Sequence, residues 1–429
     1  MPRLIVGHTT ESSTRIWVRG SKERPRARVR VLDPVIEAGR TRDLVLDDWH
    51  FYTGVADFNG LRPDAEHRVE VELSGADDPP ERVSGVVRTF ASGPGAKLRF
   101  LLGSCNLHSL GPILDPEPVF KRLVELAEAE RPAFMIHAGD QVYGDAPLPP
   151  PLGVTHQWWR DKYLDAWGTP STRKLLSTLP HYMVLDDHEI VNNFSNDMAR
   201  IDVKFVKDSA LKAYREFQHL HNPQDLGAEL LHYTFRHGDV HFFAMDVRSE
   251  RYRNEPGNQM ISQGQMRALK AWLLAHKDAV KFVISAVPFV AEVLNSGDKW
   301  NGKTFLAQRG EILDFVAEHG IRGLVFLTGD MHSVYHAVLR FSDPLAPLVH
   351  ELMSSPLNQI QVSSKNYFQD PPPGRTTPDK KLTYQGQVHE FFGEEPNVMA
   401  VEVQGREVRF RVHCTRRDKN KALQGSFVV

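Results

Sequence analysis

The chain has only two cysteines, Cys105 and Cys414, in 429 residues. Two cysteines cannot build the disulfide framework that staples small secreted domains. Long apolar runs are also missing. No stretch approaches the ~20 residues needed to cross a bilayer. Neither sign of charge dominates: 52 basic residues stand against 54 acidic ones, a formal net charge of −2. No basic footprint for nucleic acid or a membrane surface is present. The first residues, MPRLIVGHTTESSTRIWV, carry no basic region, apolar core and small-residue cleavage site of the kind that marks a signal peptide. These absences set an expectation of a cytoplasmic protein without a membrane or nucleic-acid partner. Oligomeric state stays open.

The chain is long enough for a sizeable core and for roughly two or three domains. Hydrophobic residues make up 41% of it. Residues 1–92 alternate in short runs: STRIWVRG, ARVRVL, HRVEVEL and SGVVRTF. Period-two patterning with turn residues between the runs predicts a small β-sandwich. The string from Leu61 to Val71, LRPDAEHRVEV, resembles the corner of a fibronectin type III-like module, with His67 where that module usually carries Tyr. Ser92-Gly93-Pro94-Gly95 marks the boundary.

From 97 to 429 strands alternate with helices, which predicts an α/β domain with a large mixed sheet. Helical spacing is clear in PEPVFKRLVELAEAERP, near 202–219, in QGQMRALKAWLLAHK, and in RGEILDFVAEHG, which closes at Gly320. The end, PNVMAVEVQGREVRFRVHC, reads as a hairpin turning at Gln404-Gly405. Two long irregular stretches, 144–156 and 363–382, are placed to roof a pocket.

Four apolar runs, LRFLL, FMIHA, HYMVL and GLVFL, each end in polar residues of metal-ligand type. The ends are Gly103-Ser104-Cys105-Asn106, Gly139-Asp140-Gln141-Val142-Tyr143, Asp186-Asp187-His188-Glu189 with Asn192 and Asn193, and Gly329-Asp330-Met331-His332. Ligands bind at the carboxyl ends of strands in α/β sheets. The Asp140 carboxylate has two oxygens with which to bridge two cations. Tyr143 at D-x-x-Y spacing can return to the same ion as phenolate, which suits a hard trivalent metal. A thiolate such as Cys105 suits iron or zinc. Three carboxylates in Asp186-Asp187-His188-Glu189 are costly unless cations neutralise them. In this reading Asp187 coordinates, Asn193 offers a neutral oxygen, and His188 donates a proton to a leaving alkoxide. Strand alternation is expected to send Asp330 and His332 the same way. Two cations bridged by Asp140 would clamp an in-line displacement at phosphorus, with their bridging hydroxide as nucleophile.

This motif set resembles the alkaline phosphatase D (PhoD-like) family of metallophosphoesterases. The matching elements are GSCN, HAGDQVYGD, LDDHEIVNN, Asp246-Val247-Arg248, the stretch Asp298-Lys299-Trp300-Asn301-Gly302, and LTGDMHSVYHA. The resemblance implies a calcineurin-like α/β/β/α sandwich behind the small all-β module, and hydrolysis of phosphomonoesters or phosphodiesters. It implies Fe(III) held by Cys105, Asp140, Tyr143 and His332. Asp187, Asn193 and Asp330, with Asp140, would hold one or two divalent cations, Ca(II) by resemblance and Mg, Mn or Zn as alternatives. The division among Asp186, Asp187 and Asn193 stays open. Arg200, Lys207 and Arg248 are the candidate phosphate-binding cations. The rival readings are a metallohydrolase of another ester and a non-catalytic binding scaffold.

Overall fold

The computed structural model describes residues 3–35, 39–91, 93, 95–108, 115–254, 256–294, 297–359, 368, 375–376, 383–392, 395–416 and 423–429. Seven strands between Leu4 and Arg88 form two sheets, one of three strands and one of four. Their alternating residues close a core around Val18, Val29, Phe58, Val69 and Val71. His67 takes the corner position expected from the sequence. It is buried, with Nε2 3.1 Å from the Arg62 carbonyl and Nδ1 3.2 Å from the Leu32 carbonyl. An imidazole there ties the corner back to the chain five residues upstream, as the Tyr hydroxyl of such corners does.

The second part stacks two mixed sheets face to face. The six-stranded sheet runs His181–Met183, Phe134–His137, Leu98–Gly103, Asn397–Gln404, Glu407–Cys414 and Gln424–Val428. The eight-stranded sheet includes Tyr233–His237, Val240–Ala244, Lys281–Ile284, Leu324–Thr328, Val349–Ser354 and Val334–Phe341. Phe100 of one sheet meets Phe242 and Phe282 of the other edge to face, with centroids 5.7 and 5.4 Å apart. Its neighbour Leu101 points the other way, onto Val119, Phe120 and Leu123 of the helix Glu117–Glu130. Gln263–Ala275 and Leu306–His319 cover the outer face of the second sheet through Met266, Leu269, Ile312 and Leu313. Burial on both faces is why these strands read as continuous apolar runs rather than alternating ones. The result is the α/β/β/α sandwich implied by the resemblance.

Leu98–Gly103, Phe134–His137 and His181–Met183 pair in parallel, as do Val240–Ala244, Lys281–Ile284 and Leu324–Thr328. Their carboxyl ends therefore converge at one rim of the stacked sheets. The hairpin Asn397–Gln404 to Glu407–Cys414 turns at Gly405 as expected, with φ 59°. Two helices, Gln157–Ala166 and Pro170–Leu176, stand where the sequence reading placed none. The stretch 144–156 has no regular structure, whereas most of 363–382 lies outside the described residues.

The sandwich docks on the α/β part through Trp17. Its indole N–H donates to the Glu216 carbonyl at 2.7 Å, and its ring packs with Trp159, Tyr163 and Phe217. Truncating a tryptophan buried this way costs roughly 3–5 kcal/mol. Gly7 touches the same seam: a Cβ there would stand 2.3 Å from the His221 carbonyl oxygen. Buried imidazoles line this region. Burial pushes His181 and His219 down to about 4, and burial together with His181 pushes His221 down to about 3, from an ordinary 6.5. Below pH 6.5 the unfolded chain takes up protons at these rings that the folded chain refuses. Their stabilisation is thus complete above pH 6.5 and is lost as pH falls toward 4. A ring shifted this far contributes on the order of 3 kcal/mol. Urea unfolding at pH 7 and pH 5 should show a clearly lower midpoint at pH 5; equal midpoints would contradict this account.

Candidate metal centre

Four turns at the converged strand ends carry the expected residues, and their backbones are unusual. Cys105, Asp140, Asn193, Asp330 and His332 all adopt left-handed φ, between 47° and 72°. Each costs of order 1–3 kcal/mol for a side-chain-bearing residue and persists where the surroundings over-determine it. Two glycines let the turns close on one another. A Cβ at Gly139 would stand 2.4 Å from the Asp186 Cβ, and one at Gly329 would stand 2.5 Å from both the Ala138 carbonyl oxygen and Ser104 Oγ. The Asp330-x-His332 unit is therefore not an extended strand end. Leu324–Thr328 stops before it, and positive φ at both residues aims the side chains where alternation does not.

Asp140 is buried. One carboxylate oxygen accepts the His188 backbone N–H at 3.2 Å, and the other lies 3.3 Å from Cys105 Sγ. Oxygen and nitrogen atoms of Asp140, Asp187 and His188 lie within 4.8 Å of one another, as do oxygens of Asp186, Asp187 and Asp330. Asp187 belongs to both groups and Asp140 only to the first, so the carboxylate at the junction is Asp187. Asn193 enters through its backbone, whose N–H donates to Asp187, while the residue itself is exposed.

The Tyr143 hydroxyl is buried, and Gln359 approaches it without a bond of ordinary geometry. Single oxygens of Asp186 and Asp187 are likewise buried without a hydrogen bond. Burial, then Cys105 and Asp140, pushes the Tyr143 phenol well up, and burial and Asp140 do the same to the Cys105 thiol. Protein groups alone thus favour the neutral thiol and phenol; a cation is what converts them to ligands. Burial raises Asp140, Asp186 and Asp330 as well. Asp187 is the exception: burial lifts it, but Arg248, His188 and Lys299 outweigh that and hold it below the carboxylate norm. Burial lowers His332 to about 4, which keeps its imidazole neutral, the state a ligand needs. The donor set, with its orphaned oxygens, fits a hard cation beside a thiolate.

His188 is the half-buried member. Its Nδ1 stands 2.7 Å from Asp145 Oδ1, and its ring stacks on Tyr143 at 4.1 Å between centroids. Asp145 is fixed in turn by the Asn192 N–H at 2.6 Å. This leaves Nε2 for a substrate. Burial opposes a proton on His188, but Asp140, Asp187 and Asp145 together raise its affinity well above the ordinary value.

Of the three cations expected to grip phosphate, only Arg248 is in the cluster. It is fully buried, donates to Asp186, and lies 3.5 Å from Asp187. Arg200 is held by Asp202 at 2.5 and 3.0 Å and by the Pro150 carbonyl. Lys207 is held by Asn196 and the Ser249 carbonyl. Both long side chains found carboxylate or carbonyl partners outside the centre. Three residues that the sequence reading left without a role are prominent. Asp145 orients His188. Lys299 pairs with Asp298 and Asp330. Glu189 accepts the backbone N–H groups of Asp140, Gln141 and Asp186, so one buried carboxylate ties two of the four turns together. Asp145 and Glu189 stood inside the motifs, but Asp145 meets His188 across 43 positions and Glu189 meets Asp140 and Gln141 across 49 and 48, separations that no local spacing announces.

The family model for PhoD-like phosphatase matches residues 100–411. Among solved structures, one described as the structure of PhoD aligns with a TM-score of 0.75 at 16% identity, covering 99% of this chain and 89% of that one. The purple acid phosphatase PPD1 isolated from yellow lupin (Lupinus luteus) seeds aligns with a TM-score of 0.63 at 9% identity, covering 99% and 74%. At these identities the likeness to solved structures is a likeness of fold. No curated protein matches the chain by sequence.

Proposed function

The chain belongs to the PhoD-like phosphatase family, whose work is metal-dependent hydrolysis of phosphate esters, and we propose that it does this at the four converged turns. The observation that carries the assignment is the joining of Cys105, Asp140, Tyr143, Asp187, His188, Asp330 and their strained turns at one rim. Cys105, Asp140, Tyr143 and His332 would hold iron as Fe(III). Asp187, Asp330 and the Asn193 turn, beside Asp140, would hold the divalent cation, with calcium favoured by the family resemblance. Bound there, such cations supply Lewis acidity toward the phosphoryl oxygens and a lower pKa for the attacking water.

The protein residues do the rest. His188, oriented by Asp145, presents Nε2 to the departing oxygen and gives it a proton. The Tyr143 ring backs the imidazole and fixes its plane. Glu189 holds the Asp140 and Asp186 turns at a constant separation, which keeps ligands in place without touching substrate. Arg248 neutralises Asp186 from behind.

A phenolate on Fe(III) absorbs visible light by charge transfer. Iron-loaded protein is expected to show a broad visible band, and Tyr143→Phe should bleach or strongly shift it while the far-ultraviolet circular dichroism stays unchanged. An active, iron-containing wild type without such a band would remove Tyr143 from the ligand set.

A further inference from the structure

Five carboxylates meet at the rim, those of Asp140, Asp186, Asp187, Asp298 and Asp330, together with one thiol and one phenol. Two protein cations are already among them. Lys299 Nζ contacts Asp330 and lies 2.8 Å from Asp298 Oδ2. Arg248 contacts Asp186 and lies 3.5, 3.8 and 3.9 Å from oxygens of Asp187, Asp298 and Asp330. The Arg248 side chain is fully buried and that of Lys299 is 8% exposed. Such residues are almost never buried without a partner.

The two cations sit on one side of the cluster. Among the described residues their ion pairs fall on Asp186, Asp187, Asp298 and Asp330, and none falls on Asp140. The oxygens of Asp186, Asp187 and Asp330 have the spacing of a metal site. That site is crowded by fixed positive charge. A further divalent ion between these carboxylates would face Arg248 and Lys299 in a pocket with little water to screen the repulsion. Asp186 is therefore served already, and Lys299 occupies one side of Asp330.

Resting on the metal assignment above, we propose that Lys299, seconded by Arg248, stands in the place of a third metal ion, so that the centre takes iron and one divalent cation and no more. Lys299 sets the metal count from the protein side. It also fixes the Asp330 carboxylate, leaving that group less free to wrap a cation with both oxygens.

The test counts metal rather than turnover. Metal-depleted full chain is reloaded with iron, then equilibrated by dialysis with Ca(II) or Mn(II), and the ions per chain are measured by inductively coupled plasma spectrometry. Wild type is expected to hold two ions. Lys299→Met, of similar length without the charge, is expected to hold three, and Lys299→Arg two. Three ions in wild type would overturn the proposal, as would two ions in a Lys299→Met chain whose circular dichroism matches wild type. If Lys299→Met does not fold, the wild-type count decides alone. Failure of the underlying assignment looks different: fewer than two ions bind to wild type, and both readings fall together.

Discussion

A chain carrying His188→Ala is expected to keep its metal and lose turnover, and to lose more of it on a poor leaving group than on a good one. His188 is the only half-buried member of the first candidate group, the other two being buried. Its Nδ1 is taken by Asp145 at 2.7 Å, so Nε2 is the nitrogen that can serve substrate. Burial opposes a proton on the ring, and the Asp145 carboxylate, which binds no cation in this account, favours one through its contact with Nδ1. General acid catalysis is worth ~10²–10⁴-fold. An alkyl phosphate, whose alkoxide leaves poorly, should suffer a loss at the upper end of that range. A nitrophenyl ester, whose phenolate needs little help, should suffer at the lower end or less. Equal losses on both substrates with full metal content would make the ring a phosphate contact. Loss of metal would make it a ligand. Asp145→Asn should reproduce the same leaving-group dependence in weaker form, since it removes the orientation and the negative charge but not the imidazole.

Some of this was legible in the chain and some was not, for physical reasons. An apolar run followed by Gly and a ligand-type residue is a local pattern. Gly103, Gly139 and Gly329 therefore announced three strand-end turns, and Asp186-Asp187-His188 announced the fourth. The period-two runs before residue 92 were equally local, and they became the seven-stranded sandwich. What could not be read is which long side chain pairs with which carboxylate. Arg200 and Lys207 stood in plausible places, yet Asp202, Asn196 and backbone carbonyls claim them. Lys299 looked like one letter of a motif, and its partner Asp330 comes from the end of a different strand. Left-handed backbone at Asp330 and His332 also defeats alternation, which holds only within a strand. The helix Pro170–Leu176 was a missed signal rather than a hidden one. Thr169 caps it by accepting the Thr172 N–H, and Pro170 stands in its first turn, a pattern visible in TPST.

The heaviest loss is expected at Asp140. Its two oxygens lie between the His188 N–H and Cys105 Sγ, and its φ of 56° holds it there at a cost that only a fixed partner justifies. Asp140→Asn keeps the shape and removes one negative charge and one anionic oxygen. Among the described residues the ion pairs of Arg248 and Lys299 fall on the other carboxylates and none falls on Asp140. Replacing an outer partner of a ligand typically costs ~10–100-fold in metal affinity, and a direct ligand costs more. At least one ion per chain should be lost, with turnover falling by more than the ~10–100-fold that an outer partner costs. The decisive measurement takes metal content and phosphate release from the same samples of wild type and Asp140→Asn, with a nitrophenyl phosphate as substrate. The account predicts that the two quantities fall together in the variant, and that chelating the wild type abolishes release until metal is restored. An Asp140→Asn chain with full metal and full turnover would place the chemistry elsewhere in the molecule.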